Sequence, residues 1–261
     1  MTSRIVLTYA IVAFATNSLS HAGEPVAPYA AITPSPKSSG WEFSGAIYAP
    51  LMGLEGDIGV AGLTTEVDLS FGDILKELDG GATAAFEARY DRWSITGDFI
   101  WLKLSGSAQA VASSYIGLKQ EQILASLTLG YEIYGSESTT IDLLAGGALN
   151  SMDVDLQLFT PNLPVTIRGA SGSEEWIDPF VGLRIRHQLS DRWSLWVRGD
   201  YGGFEVSSDE YWQVIAGISY RLSEHTSLAM AYRIMSVDYH QAGFDYDTKM
   251  EGPNLGLIFQ F

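Results

Sequence analysis

From Trp41 onward, apolar and polar residues alternate with a period of two. In 93–101, Trp93, Ile95, Gly97, Phe99 and Trp101 alternate with Ser94, Thr96, Asp98 and Ile100. In 123–133, Ile123, Ala125, Leu127, Leu129, Tyr131 and Ile133 share one parity, and Ser126, Thr128, Gly130 and Glu132 share the other. The split recurs with Val181, Leu183 and Ile185 against Arg184 and Arg186, and with Leu228, Met230, Tyr232 and Ile234 against Ser227, Ala229 and Arg233. Successive strand side chains point to opposite faces, so each segment reads as a strand with one apolar and one polar face. The spacing predicts strands over 41–50, 80–91, 93–105, 119–134, 139–150, 176–189, 192–203, 209–222, 225–239 and 249–261. An even number of antiparallel strands brings both ends of the set to one side.

Alternation alone also fits a soluble sandwich or a lipocalin-like barrel, and the turns separate these readings. Tight turns fall at Asp91-Arg92, 135–138, 190–192 and 223–225. Longer connections fall at 51–79, 106–117, 151–174, 203–208 and 240–248. Short and long connections therefore alternate, as periplasmic turns and external loops do in outer-membrane barrels. The fold class that follows is all-β: a transmembrane antiparallel up-and-down β-barrel of about ten strands, with eight and twelve as alternatives. Segment 51–79 is the irregular part. Ile58–Val60 and Val67–Leu69 have strand character, and 71–78 reads as a short helix ended by Asp79-Gly80-Gly81. Asp68, Asp73, Glu77 and Asp79 would be costly against lipid, which favours an external loop or a lumenal plug over two further strands. Asp-Arg-Trp-Ser occurs at 91–94 and again at 191–194, each time opening a strand after a tight turn.

The flanks carry addresses. Residues 1–22 have Arg4 before an apolar stretch and end in Ser20-His21-Ala22, the pattern of a secretory signal peptide cut after Ala22. Residues 23–40, with Pro25, Pro28, Pro34 and Pro36, read as a flexible Pro-rich leader, and 41–261 as the barrel. The last eight residues place Asn254, Gly256, Phe259 and Phe261 at the defined positions of the assembly signal recognised by the barrel assembly machinery. Such a terminal strand must pair by backbone and present rings at the membrane interface.

Composition narrows the function. The chain has 31 acidic and 15 basic side chains in 261 residues, a net charge of -16 that excludes a nucleic-acid partner. The absence of cysteine excludes disulfides, thiolate metal sites and cysteine nucleophiles. Alternation assigns Glu87, Arg89, Asp98, Glu132, Asp142, Arg184, Arg186, Arg198, Asp200, Arg221 and Arg233 to the lumen. Intermixed charge in a narrow barrel pairs across the interior, so a narrow or closed lumen is expected, with a structural or interaction role or limited passage of small solutes. An open diffusion porin is the alternative. Further acids, among them Asp57, Glu66, Asp153, Asp155, Glu210, Asp245 and Asp247, fall in the long connections or at strand ends. They read as a solubilising surface, or as a binder of divalent cations, although no ordered calcium motif is present.

Phe71-Gly72-Asp73-Ile74-Leu75, Phe86-Glu87-Ala88-Arg89 and 176–184 (Trp-Ile-Asp-Pro-Phe-Val-Gly-Leu-Arg) resemble a family of small, porin-like bacterial outer-membrane β-barrel proteins. So do 189–195, 199–204 and 252–261. The resemblance implies a fold and a compartment, the outer membrane of a Gram-negative-type cell, and supplies no catalytic residues. Outer-membrane lipid, the assembly machinery and periplasmic chaperones are the partners expected, and a barrel smaller than those of trimeric porins is expected to be a monomer. No catalytic set, cofactor site or metal motif is expected. One further arrangement resembles the rim chemistry of omptin proteases: Asp238 with His240, opposite Asp153 with Asp155, able to orient an imidazole and a water. A surface hydrolase using Asp238 and His240 is the second alternative.

Overall fold

A computed structural model describes residues 40–60, 63–109, 115–159, 168–241 and 243–261. The expected signal peptide with its Ala22 cleavage point, and nearly all of the leader, lie outside the described residues. The elements are β1 (Trp41–Pro50), β2 (Gly53–Val60), β3 (Leu63–Leu69), α1 (Phe71–Glu77), β4 (Leu78–Tyr90), β5 (Trp93–Gln109), β6 (Tyr115–Gly135) and β7 (Thr139–Phe159). They continue with β8 (Arg168–Gln188), β9 (Trp193–Gly202), β10 (Glu210–Arg221), β11 (Thr226–Gln241) and β12 (Phe244–Gln260). β1 and β4 to β12 pair antiparallel in chain order, and β1 with β12 closes the ring. This is the ten-stranded barrel that the alternation predicts. One end carries the tight turns and both barrel termini (the turn end), and the other carries the remaining connections (the loop end).

The apolar parity faces outward. Leu127, Leu129, Leu143, Val181, Leu183, Met230 and Tyr232 are all exposed on the wall, as a lipid-facing belt requires. At the turn end the belt closes on paired rings, where amphipathic aromatics are favoured. Trp41 meets Tyr90 at 5.2 Å between centroids. The repeated Asp-Arg-Trp-Ser builds the same device twice: Trp93 lies 4.7 Å from Tyr131 and Trp193 lies 4.7 Å from Tyr220, each on the neighbouring strand. Arg192 donates to the Tyr220 hydroxyl at 3.0 Å, and Arg92 engages Tyr131 likewise. Ser94 and Ser194 turn inward and are buried.

Two prolines lie where the wall parts. Leu51 donates its N–H to Pro253 on β12 at 2.8 Å, so the preceding Pro50 is turned toward β4, where it has no N–H to offer. The β1–β4 ladder ends at Ile47 opposite Ala84. β2 then continues β1 along β12 in unchanged register, Pro50 opposite Asn254 and Gly53 opposite Glu251, and β3 takes the place that β4 vacated. On the other side, Pro179 accepts from Gly203 at 3.0 Å but cannot return the bond. β8 stays paired with β7 up to Arg168, yet with β9 only from Phe180 to Gln188.

Segment 51–79 thus departs from the favoured loop or plug. It forms two further strands, β2 and β3, paired beyond the lipid belt where Asp57, Glu66 and Asp68 face out, and then α1. The helix starts at N-cap Ser70, whose hydroxyl accepts from the Asp73 N–H at 3.3 Å. It is not ended by Asp79-Gly80-Gly81: β4 begins at Leu78, and those three residues lie within it. The connections expected at 106–117, 151–174 and 240–248 are largely strand as well, because β5 to β8, β11 and β12 remain paired past the membrane. Charge along a segment tells whether it meets lipid. It does not tell whether its backbone is paired.

Candidate functional site

The inward parity fills the barrel in three layers, and in each of them side chains from strands that are not neighbours bond across the interior. Nearest the turn end, Asp142 is fully buried and accepts from Arg89 at 3.0 Å, Arg184 at 3.0 Å and Arg186 at 3.0 Å. Glu87, across the barrel on β4, accepts from Arg184 and, at 3.1 Å, from Arg186 on β8. Glu132 lies 3.6 Å from Arg89. Three carboxylates therefore face three guanidiniums, and the layer is neutral.

The second layer joins β5 to β11. Arg233 donates to Asp98 at 3.2 Å and to the Gln213 carbonyl at 2.7 Å, and Tyr48 donates to Asp98 at 3.0 Å. Gln213 in turn donates to Asp200, which accepts from Arg198 at 2.9 Å. Arg198 also reaches Thr128 on β6 at 3.0 Å and lies 5.7 Å from the centre of the Phe180 ring. Two acids again match two bases. Between these layers lies a cavity of about 180 Å³, with Ser44, Ala46 and Ala85 on one side and Arg184, Arg198 and Arg233 on the other.

The third layer, toward the loop end, is apolar and aromatic. Trp176 on β8 stacks on Tyr239 of β11 at 3.9 Å and 10°, and Phe244 and Tyr246 of β12 pack around them at 6.4 and 6.0 Å. Ile58, Met152, Val154 and Val237 are buried in the same cluster. Gln122 of β6 donates to the Tyr246 hydroxyl at 3.0 Å, again from wall to wall. Below it the fully buried Asp178 accepts from the Trp176 indole at 3.0 Å and from the Ser208 N–H and hydroxyl at 2.8 Å each. That pins the 203–209 connection over the gap left by β9.

The lumenal residues expected from parity are thus brought together, with one exception. Arg221 lies at the turn-end mouth and forms no ion pair among the described residues, because the acids at that end are held by Arg89, Arg184 and Arg186. Sequence reasoning passed over Tyr48 and Gln213, which are polar without being charged, and over the aromatic layer; it placed Thr128 on the polar parity without giving it a partner. Asp178 was legible: it shares parity with Arg184 and Arg186.

The rim is arranged differently from the omptin-like expectation. Val237 and Tyr239 are buried inward, so Asp238 and His240 point out of the barrel. Met152 and Val154 are buried inward, so Asp153 and Asp155 point out of β7, with β8, β9 and β10 between the two walls. The two pairs face away from each other across the aromatic layer, and no common water can lie between them. His240 Nδ1 instead sits 2.8 Å from Asp238 Oδ1 and 3.7 Å from Asp209 Oδ2. Asp238 belongs to a row of acids in register across five strands, Glu210, Asp238, Asp247, Asp57 and Glu66. Partial burial holds its carboxyl above the usual range, and Asp247, Asp209 and Glu210 add to the rise while His240 opposes it.

No protein-family model matches the chain, and no curated protein matches it. Among solved structures, the outer membrane protease OmpT from Escherichia coli aligns over 86% of this chain and 98% of its own, with a TM-score of 0.57 at 9% identity. Neisserial surface protein A aligns over 85% and 99%, at 12% identity and a TM-score of 0.32. The attachment invasion locus protein Ail of Yersinia pestis aligns over 86% and 100%, at 10% identity and a TM-score of 0.35. These likenesses are of fold alone. The first of them, taken with the closed ten-stranded sheet and its outward apolar belt, defines the class: the chain has the fold of an outer-membrane β-barrel protein, with strands built to cross a lipid bilayer.

Proposed function

We propose that this barrel serves a structural or interaction role, with a lumen that carries no continuous aqueous path. The observation that supports this reading most is the cross-barrel bonding in all three layers: Glu87 to Arg184, Asp98 to Arg233, and Trp176 with Tyr239. A selective conducting pore keeps unlike charges apart along an open path, whereas here acids and bases neutralise one another within both charged layers. The aromatic layer above them offers no ion a route. The outward-facing Asp238 and His240, turned away from Asp153 and Asp155, support a non-enzymatic role.

On this reading both termini and the tight turns face the periplasm, and the acidic loop end faces outside. β12 is the strand that closes on β1, which fits Asn254, Gly256, Phe259 and Phe261 as its assembly signal. Gly256 lies so close to β1 that a Cβ would come within 2.8 Å of Tyr48. Outer-membrane lipid, the assembly machinery and periplasmic chaperones are the partners this implies, and the barrel acts as a monomer.

Planar-bilayer recording of the refolded protein, after a heat-shift gel confirms the barrel, tests the proposal. No steady channels are expected from the native protein. Removing the third layer with Trp176→Ala, Tyr239→Ala and Tyr246→Ala together is expected to let small ions leak. Large, stable conductance from the native protein would instead make it a diffusion porin.

A further inference from the structure

We infer that Asp209, Asp238 and His240 form a binding site for a divalent transition-metal ion on the outer wall of the barrel. Strand geometry assembles it. Asp238 and His240 are two residues apart on β11 and so share its outward face. Asp209, just before β10, is held against them by its own N–H, which donates to the Asp238 carbonyl at 2.8 Å. One imidazole nitrogen and two carboxylate oxygens then lie within 4.8 Å of one another, close enough for one ion to reach all three.

The imidazole sets this place apart from the rest of the acidic rim. Carboxylates alone suit calcium or magnesium, whereas a nitrogen ligand shifts preference to zinc, nickel or copper. Electrostatics favours occupancy. Asp238 stands directly opposite Glu210 on one side and Asp247 on the other, and like charges in that position repel. Among the described residues no lysine or arginine pairs with any of these acids. The nearest in register, Lys249, is engaged by Glu55 at 3.3 Å and Glu251 at 2.8 Å. A bound dication would supply the missing charge, with water filling its remaining positions, since the three side chains are between 39% and 62% exposed.

Calorimetric titration of the detergent-refolded full chain with Zn²⁺ tests this, with the fold of every variant checked by heat-shift gel. One saturable site is expected, weakened more than about tenfold by His240→Ala and by Asp209→Asn. A variant carrying Asp153→Asn and Asp155→Asn, an exposed acidic pair without a histidine, is expected to bind as the native protein does. Co²⁺ gives an independent readout through visible absorption bands that the native chain shows and His240→Ala lacks. Absence of saturable binding, unaltered binding in His240→Ala, or displacement of Zn²⁺ by a tenfold excess of Ca²⁺ would each overturn the inference. The last outcome would reduce the site to a general acidic surface.

Discussion

Asp142 shows most sharply what a single residue does here. Its carboxylate has no solvent exposure, and three guanidiniums converge on it. Removing one member of such a buried set leaves uncompensated charge, at a cost of about 3–5 kcal/mol. Asp142→Asn is therefore expected to lower the urea concentration at which the refolded barrel unfolds, more than Asp153→Asn on the exposed rim. Replacing Asp142 and Arg184 together by apolar residues is expected to recover part of that loss, because one acid and one base leave the layer together. The parity that put these charges inside was readable from residue order. Which acid would sit deepest was not, since that depends on β4 and β8 meeting across the barrel.

At the scale of elements, the backbone exceptions shape the molecule more than the regular strands do. Gly252 has φ of 154°, and a Cβ there would come within 2.5 Å of the Leu51 carbonyl oxygen. Gly252→Ala is expected to cost about 1–3 kcal/mol, read as a lower unfolding midpoint, because the joint between β1 and β2 must open to admit the methyl group. Helix α1 depends on its cap. Ser70→Ala is expected to lower hydrogen-exchange protection in 71–77 about fivefold, as the loss of one cap implies. Lys76, and then Ser70, hold the Asp73 carboxyl below its ordinary range by hydrogen bonding. A carboxyl with a depressed folded value stabilises at pH above its unfolded value, so α1 protection should be level near neutrality and fall only below about pH 4.

For the whole molecule, the arrangement predicts a polarity that can be read in intact cells expressing the protein. A membrane-impermeant thiol reagent should label Glu205→Cys, in the exposed connection after β9, and should spare Glu137→Cys in the tight turn before β7. The reverse pattern would invert the barrel. The absence of native cysteine makes each label unambiguous.

Whatever is periodic could be read from residue order. A two-residue alternation is a local property that any strand must express, so the barrel class, the ten wall strands, the lipid-facing belt and the charged inward face were all legible in the alternation itself. So was the repeated Trp device, because the residues that build each copy are four neighbours and one ring across a single ladder. Features that depend on pairing at a distance needed the folded barrel. Pro50 and Pro179 are ordinary strand residues in the sequence, and only the fold shows that each turns its missing N–H to a side where the neighbouring strand is no longer paired. The acids of 51–79 suggested a loop because charge is costly in lipid, yet β12 extends past the membrane and gives that backbone a partner in water. The rim residues Asp238 and His240 were visible as a pair, but a one-residue parity relative to Tyr239 turns them outward and separates them from Asp153 and Asp155. That parity was fixed by which side chains could fill the interior at the loop end, where the barrel encloses Trp176, Tyr239 and Tyr246 and leaves charge to the outer wall.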